Sequence, residues 1–250
     1  MNTYPSSNFE TADPPPPPGV RLRLPTHPVR LTYVLIAINA LVFVPTLLFG
    51  TLVYAVGGLI PGLVLQRWQI WRLLTAGFIH GDIMHIGFNM YALYIFGRQV
   101  ERLFGSRRFA LIYGTALLGG SVVVVLFNAQ DSLTVGASGA ILGLLGALMA
   151  YFWRYQETML GARARLGNLI TTALINLGLG LLPRVSLWGH LGGTLAGLAV
   201  GLMLVPHYKT VYGLQPHLDI MERKKEERLG MLGVVAGCLV LLITAFLLRG

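Results

Sequence analysis

The chain has 250 residues, of which 54% are hydrophobic and only 12% are charged. This charged fraction is about half of that in an ordinary soluble domain, so the composition excludes a typical water-soluble fold and favours an integral membrane protein. The formal net charge is +9, but the basic residues are spread between apolar segments, so we expect no nucleic-acid partner.

The N-terminal segment, residues 1–29, is polar and contains a run of consecutive prolines at positions 14–18. Such a composition favours an extended polyproline conformation over packing in a core, so we predict a disordered cytoplasmic tail. The first apolar run begins near Leu31, and no small-residue cleavage pattern follows it. We therefore expect this run to remain as a membrane anchor and not to act as a removable signal peptide.

Apolar runs predict seven helices in an all-α polytopic membrane bundle. The fourth and sixth helices carry glycines three and four residues apart, which places small residues on one helix face and allows close approach between helices. The predicted segments are 31–50, 83–103, 108–127, 137–154, 166–183, 188–206 and 230–248, and the glycines are Gly139, Gly143 and Gly146 in the fourth and Gly193, Gly197 and Gly201 in the sixth.

The distribution of Lys and Arg predicts the orientation of these helices. With a cytoplasmic N-terminus, fifteen of the nineteen basic residues lie on the cytoplasmic side, and only Arg67, Arg72, Arg184 and Arg249 lie outside. The positive-inside rule favours this orientation, and an odd number of spans then places the C-terminus outside.

Two connections and one cysteine complete the organisation of the chain. Residues 51–82 are too apolar for a solvated loop, and their tryptophans predict a position at the outer membrane interface. Residues 207–229 are predicted to form a cytoplasmic linker whose charges are solvated. Cys238 is the single cysteine and lies in an apolar run, so no intrachain disulfide can form.

Ser138 and His190 are the first candidates for chemistry. They begin the fourth and sixth helices, which run in the same direction, so we expect both at similar depth near the outer surface. A serine hydroxyl needs a neighbouring base to become an effective nucleophile, and histidine titrates in the range that suits this role. The N–H groups at the start of the fourth helix can stabilise an oxyanion, while Gly136 and Gly139 leave room for a substrate backbone.

Polar residues at the start of the second helix add candidate hydrogen-bond donors. His85 and Asn89 are four residues apart and share a helix face, so both are candidate oxyanion donors. His80 lies five residues before His85, off that face, and we interpret it as a structural residue of the preceding loop.

These motifs resemble those of the rhomboid family of intramembrane serine proteases. Residues 136–139 read Gly-Ala-Ser-Gly, similar to the family's GxSG nucleophile motif, and His190 is followed by glycines as in its second catalytic helix. His80, His85 and Asn89 match the HxxxxHxxxN pattern, and Trp71-Arg72 resembles the WR pair of the first loop. The resemblance covers about residues 30–206.

The resemblance implies a six-helix protease core at residues 30–206, a linker at 207–229 and an appended seventh helix at 230–250. It further implies a Ser138–His190 dyad without an acidic third member, with His85, Asn89 and the Ser138 N–H around the oxyanion. Asp82 and Glu101 therefore receive no catalytic role. The sequence departs from the family at Leu142, where many members have an aromatic residue beneath the histidine, and at Gly189, usually Ala. Without the aromatic ring, we expect packing to orient His190.

The expected activity is cleavage of transmembrane segments of substrate proteins near the outer membrane face. The expected partners are therefore transmembrane proteins and the lipid bilayer, in a bacterial inner or plasma membrane. The resemblance implies no cofactor, and the histidine spacing lacks the HExxH pattern of a zinc peptidase, so we expect no metal.

Two other functions are alternatives to proteolysis. A transporter would place paired or repeated charges near the midplane of its helices, and this chain has almost none there. The second is a catalytically inactive rhomboid-like protein that binds transmembrane clients. Such relatives lack the serine or the histidine, whereas both are present in this chain.

Overall fold

The computed structural model describes residues 24–183, 185–211, 217–221 and 224–249, so most of the predicted disordered tail lies outside the described residues. Most of the described chain is helical. Its α-helices are α1 (Leu31–Gly57), α2 (Pro61–Arg67), α3 (Arg72–Thr75), α4 (Ile83–Ala92), α5 (Arg98–Phe104), α6 (Ser106–Phe127), α7 (Ser138–Arg154), α8 (Ala162–Leu179), α9 (Leu187–Leu204) and α10 (Lys224–Arg249).

Each of the seven predicted segments contains a helix, and the predicted helical membrane bundle is confirmed. The second segment is composite, because α4 continues through a π-helical turn at Leu93–Gly97 directly into α5. Within the described residues, four helices are long and apolar enough to cross a membrane by length and composition: Leu31–Gly57, Ser106–Phe127, Leu187–Leu204 and Met231–Arg249. The helix at Ser138–Arg154 is apolar but shorter.

The centre of the bundle is formed by α9 packed against α7 and α6. The contact with α7 is direct, backbone to backbone: a Cβ on Gly193 would overlap Gly139, and a Cβ on Gly197 would overlap Gly143. On the α6 side, a Cβ on Gly120 would lie 2.8 Å from the Gly189 carbonyl oxygen. The predicted glycine faces therefore meet each other, and α7 is the most completely buried helix of the three.

At one end of the bundle, a buried carboxylate binds the start of α1. Glu101 is fully buried on α5, and it accepts hydrogen bonds from the backbone N–H groups of Arg30, Leu31 and Thr32 at 2.8–3.0 Å. The hydroxyls of Thr32 and Ser106 donate to the same carboxylate at 2.7 and 2.6 Å. One side chain thus satisfies the orphan amides at the α1 N-terminus and ties α1 to α5 and α6.

At the opposite end, the Trp71-Arg72 pair binds the last carbonyls of α1. The Arg72 guanidinium, buried in the loop, donates to the carbonyls of Ala55 and Gly58, and the Trp71 indole donates to Val56 O at 3.1 Å. Helix α1 kinks at Phe49, beside the predicted end at residue 50, and its second part runs on to Gly57, where these side chains satisfy its orphan carbonyls. The pair is therefore structural.

The end of α10 contacts this same end of the bundle. The Arg249 guanidinium donates to the carbonyls of Val125 and Leu126 at the end of α6, at 2.9 and 2.6 Å. Phe246 stacks on Trp68 with a centroid distance of 4.6 Å. The C-termini of α1, α6 and α10 therefore lie at one end of the bundle.

Residues 207–229, predicted as a linker, contain regular structure. Strands β1 (His207–Val211) and β2 (His217–Met221) pair antiparallel, with His207 opposite Met221 and Val211 opposite His217. This hairpin belongs to a compact unit separate from the helical bundle. Helix α10 begins at Lys224, inside the predicted linker.

We predict that Glu101→Gln destabilises the bundle. Glutamine keeps the volume but has a single acceptor oxygen, so several of the five donors around position 101 lose their partner in a buried site. We expect the free energy of unfolding to fall by about 2–4 kcal/mol, measured by denaturant titration in detergent. Glu157→Gln, which removes a carboxylate that is 67% exposed, is the control and should have little effect. Equal stability of the two variants would contradict the role of Glu101.

Candidate active site

A cavity of about 860 Å³ opens at the end of the bundle where α1 and α6 end. Its lining includes residues from α4, the α6–α7 loop and the starts of α7 and α9. Among them are the predicted site residues Ser138, His190, His85, Asn89 and Gly136. The structure therefore brings together side chains that are up to 105 positions apart in the sequence.

Ser138 and His190 are in direct contact. The Ser138 Oγ lies 2.9 Å from His190 Nε2, and the other ring nitrogen, Nδ1, lies 3.1 Å from the backbone carbonyl oxygen of Asn176 in the last turn of α8. His190 is buried, whereas Ser138 is partly exposed to the cavity. Histidine orientation was expected from packing alone, and the structure adds this hydrogen bond to α8. The arrangement is that of a hydroxyl, a base and an orienting group.

Ser138 begins α7, where backbone donors are available. The first hydrogen bond of the helix joins Ile141 N–H to the Ala137 carbonyl at 3.0 Å, so the amides of Ser138 and Gly139 lie in the first turn without an intrahelical acceptor. Gly136 enters this turn with a φ of +122°, a conformation that favours glycine. Donors and helix dipole therefore converge beside the hydroxyl.

His85 lies against the same turn. A Cβ on Gly136 would lie 2.6 Å from His85 Nε2, so glycine at this position also makes room for the imidazole. The other ring nitrogen, Nδ1, accepts a hydrogen bond from the Gly81 N–H at 3.3 Å. Asn89, one turn further along α4, donates one N–H to the His85 carbonyl at 2.9 Å. Its amide retains a second N–H for another acceptor.

His80 and Asp82 support α4 and are not arranged as acids or bases for Ser138. His80 is fully buried, lies edge-on to His85 with a centroid distance of 5.1 Å, and is absent from the cavity lining. Burial, followed by the nearby His85, lowers the pKa of His80 to about 4, so this ring is neutral near pH 7. Asp82 is the N-cap of α4 and accepts the His85 N–H at 2.8 Å.

Backbone pairing holds the loop that leads to Ser138. Leu59 and Thr134 exchange two hydrogen bonds at 3.0 and 2.9 Å, and the Gly136 N–H donates to the Ala76 carbonyl at 2.9 Å. The loop before the serine is therefore fastened to the segment that follows α1. Trp71 and Arg72 stabilise that segment but do not line the cavity.

The sequence matches the family profile described as "Rhomboid domain" over residues 67–207, which is more than half of the chain. This chain belongs to the rhomboid family. It is an integral, multi-pass membrane protein, as the apolar helices and the family both indicate. The rhomboid family includes serine intramembrane proteases.

The relatives of this chain include plant and bacterial rhomboid proteins. RHOMBOID-like protein 4 of Arabidopsis thaliana is 34% identical over 76% of this chain and 50% of its own length. RHOMBOID-like protein 6, mitochondrial, of the same plant is 41% identical over 57% of this chain and 46% of its own length. Rhomboid protease GluP of Bacillus subtilis is 39% identical over 66% of this chain and 33% of its own length. The chain thus matches half or less of the length of these relatives.

Two groups at this rhomboid site carried no signal in the sequence. They are the Asn176 carbonyl beside His190 and the Gly81 amide beside His85. Every residue has a backbone carbonyl, and every residue except proline has an amide N–H, so neither residue type nor spacing identifies the ones that contact a site. Only the paths of α8 and of the loop before α4 bring them to the two imidazoles.

We predict that Gly197→Ala uncouples Ser138 from His190. The added methyl group would overlap the Gly143 backbone, so α7 and α9 must separate and the distance from Oγ to Nε2 must increase. We expect labelling of Ser138 by a fluorophosphonate probe to slow by at least about tenfold. Attack by a hydroxyl depends on its distance from the base, and moving the two groups apart by about 1 Å is costly.

The matched control is Gly167→Ala on α8, where a Cβ meets nothing within 4 Å. This variant should label like the unsubstituted chain and be equally or slightly more stable, because alanine is the better helix former. Unchanged labelling of Gly197→Ala would show that the close α7–α9 contact does not set the site geometry.

Proposed function

We propose that this chain is an intramembrane serine endopeptidase that cleaves transmembrane segments of substrate proteins near the outer membrane face. Ser138 is the nucleophile and His190 is the base. The observation that carries the proposal is the 2.9 Å contact between Ser138 Oγ and His190 Nε2 at a helix N-terminus inside a cavity. Membership of a family that includes serine intramembrane proteases supports the same assignment.

In the acylation step, Ser138 Oγ attacks the carbonyl carbon of the scissile peptide, and its proton moves to His190 Nε2. The carbonyl oxygen becomes an oxyanion that accepts hydrogen bonds from the Ser138 N–H, His85 Nε2 and the Asn89 amide. When the C–N bond breaks, the imidazolium returns the proton to the leaving amine. The products are an acyl-enzyme at Ser138 and a free amine.

In the second step, a water molecule replaces the leaving amine. His190 accepts its proton as the water oxygen attacks the ester carbon. The bond between this carbon and Ser138 Oγ then breaks, and the imidazolium returns the proton to Oγ. The carboxylic acid product then leaves. Water reaches the ester through the cavity, which is lined by polar as well as apolar side chains. Neither Asp82, which caps α4, nor Glu101, which binds the start of α1, takes part.

The substrate is proposed to be a single transmembrane segment that reaches the cavity sideways from the lipid bilayer. A peptide bond inside an α-helix is shielded and hydrogen-bonded, so the segment must unwind before Ser138 can attack it. We expect substrates to have small residues at the cleaved position, which leave the peptide bond accessible. We also expect helix-breaking residues beyond it, which make unwinding easier. Gly136 and Gly139 leave space for the unwound backbone next to the hydroxyl.

The orientation follows from charge. Among the residues that the structure describes, the end of the bundle that holds the cavity carries Arg67, Arg72 and Arg249, whereas most of the other basic residues lie towards the opposite end. The positive-inside rule then favours a cytoplasmic N-terminus and an outward-facing site in an inner or plasma membrane. Within this topology, residues 30–206 form the six-helix protease core, 207–229 link it to the seventh helix, and 230–250 contain that helix.

The test compares the unsubstituted chain with Ser138→Ala in detergent, using a purified protein that contains one transmembrane segment. We expect cleavage by the unsubstituted chain and none by Ser138→Ala, with binding of the substrate retained. The control is Ser132→Ala. Ser132 lies in the loop between α6 and α7 and does not line the cavity, so this variant should cleave the substrate normally. Capture without cleavage by the unsubstituted chain would favour the inactive, client-binding alternative.

Asn89 provides a separate prediction about the oxyanion. Because its free N–H is proposed to act mainly in the transition state, Asn89→Ala should lower kcat by about 10–100-fold and change KM little. Asn168→Ala, an exposed asparagine on α8, is the control and should leave both constants unchanged. Equal losses in kcat and in substrate affinity would remove Asn89 from the oxyanion site.

A further inference from the structure

Two histidines at the cavity each have one ring nitrogen bonded to the backbone, and the two backbone groups are of opposite kinds. At His190, Nδ1 lies 3.1 Å from the Asn176 carbonyl oxygen. At His85, Nδ1 lies 3.3 Å from the Gly81 amide nitrogen. A neutral imidazole carries a hydrogen on only one nitrogen, so each contact decides which nitrogen that is.

A carbonyl oxygen can only accept a hydrogen bond, so His190 must carry its hydrogen on Nδ1 to bond with Asn176. Its Nε2 is then bare and can accept the proton of Ser138 Oγ, 2.9 Å away. Asn176 lies in the last turn of α8, where carbonyls carry the partial negative charge of the helix terminus. That charge favours the imidazolium that forms when His190 takes a proton.

An amide N–H can only donate, so His85 must leave Nδ1 bare to bond with Gly81. Its hydrogen is then on Nε2, the nitrogen that lies against Gly136 and next to the Ser138 turn. Buried His80 packs edge-on against the His85 ring and shields it from solvent, which favours a neutral His85 because a charged imidazole loses solvation there. A neutral donor suits this position, because a second cation beside the His190 imidazolium would oppose its formation.

We propose that the Asn176 carbonyl and the Gly81 amide are positioning groups that hold His190 and His85 in opposite neutral tautomers, making one histidine the base and the other the oxyanion donor. The catalytic meaning of this inference rests on the proposed function. The tautomers themselves do not, because they are properties of the unliganded chain.

The direct test is ¹⁵N NMR of the full chain labelled at histidine, at a pH where both rings are neutral and with no substrate present. The chain has six histidines, and the signals of His85 and His190 are assigned by their loss in the single variants His85→Gln and His190→Gln. We expect the hydrogen on Nδ1 of His190 and on Nε2 of His85. The reverse tautomer at either ring, or an even mixture, would overturn the proposal even if the chain cleaves substrates. The expected tautomers in a chain that fails to cleave would support the inference and refute only the protease assignment.

Gly81 can be tested by a matched pair of variants. Gly81→Pro removes the amide hydrogen, whereas Gly81→Ala keeps it, and a Cβ at this position meets only His85 Nδ1 at an ordinary 3.7 Å. We expect His85 to keep the Nε2 hydrogen in the alanine variant and to lose this preference in the proline variant. Turnover by the proline variant should be at least about tenfold slower than by the alanine variant, with similar KM. Identical His85 spectra in the two variants would exclude Gly81 as the positioning group.

The Asn176 carbonyl can be weakened without changing a side chain. Replacing Leu177 by its α-hydroxy acid converts the peptide bond after Asn176 into an ester, whose carbonyl is a poorer acceptor. The control ester, at Leu174, removes one helical N–H in the same way but weakens the Ala173 carbonyl instead. We expect only the ester at 177 to reduce the Nδ1 hydrogen signal of His190 and the turnover. Equal effects of the two esters would assign the change to α8 stability and contradict the proposal.

Discussion

The site depends on how closely the backbones of α7 and α9 approach each other. Gly193 and Gly197 lie directly on the backbone around Gly139 and Gly143, and no side chain separates the two helices there. Ser138 immediately precedes the first of these contacts on α7, and His190 precedes it by one turn on α9. The contact that fixes the separation of the helices therefore also fixes the distance between hydroxyl and imidazole. In a bilayer, where burial of apolar side chains provides little drive for helix association, close packing of small residues is a main source of this stability.

Buried polar groups hold the rest of the bundle around that contact. Glu101 binds the start of α1, and Arg72 binds its end, so this largely exposed helix is fastened at both termini by side chains from elsewhere in the fold. An unsatisfied backbone group is expensive in a medium that contains no water, which explains why charged residues are used inside an apolar protein. Asp82 follows the same rule at the start of α4. Both acidic residues bind the N-terminus of a helix.

A backbone carbonyl is the hydrogen-bond partner of His190 on the side of the ring away from Ser138. The Asn176 carbonyl occupies the position at His190 Nδ1 that an aspartate holds in a triad, and it brings the partial charge of a helix terminus. A full negative charge there would need its own solvation or counter-charge within the membrane, whereas a helix carbonyl is already satisfied in part by the Gly180 amide at 3.2 Å. The arrangement orients the imidazole at little cost in desolvation.

The sequence by itself determined the helices and identified Ser138, His190 and their neighbours on α4 as candidates, because hydropathy, glycine spacing and side-chain chemistry are local properties of the residues. Some element ends differ from the sequence prediction. The extension of α1 to Gly57 depends on capping by Trp71 and Arg72, and the hairpin that begins at His207 depends on pairing between two short strands. Only the tertiary structure decided that Ser138 Oγ contacts His190 Nε2, and which backbone groups contact each imidazole. Backbone groups are common to almost every residue, so a carbonyl or an amide becomes part of a site only through the path of the folded chain.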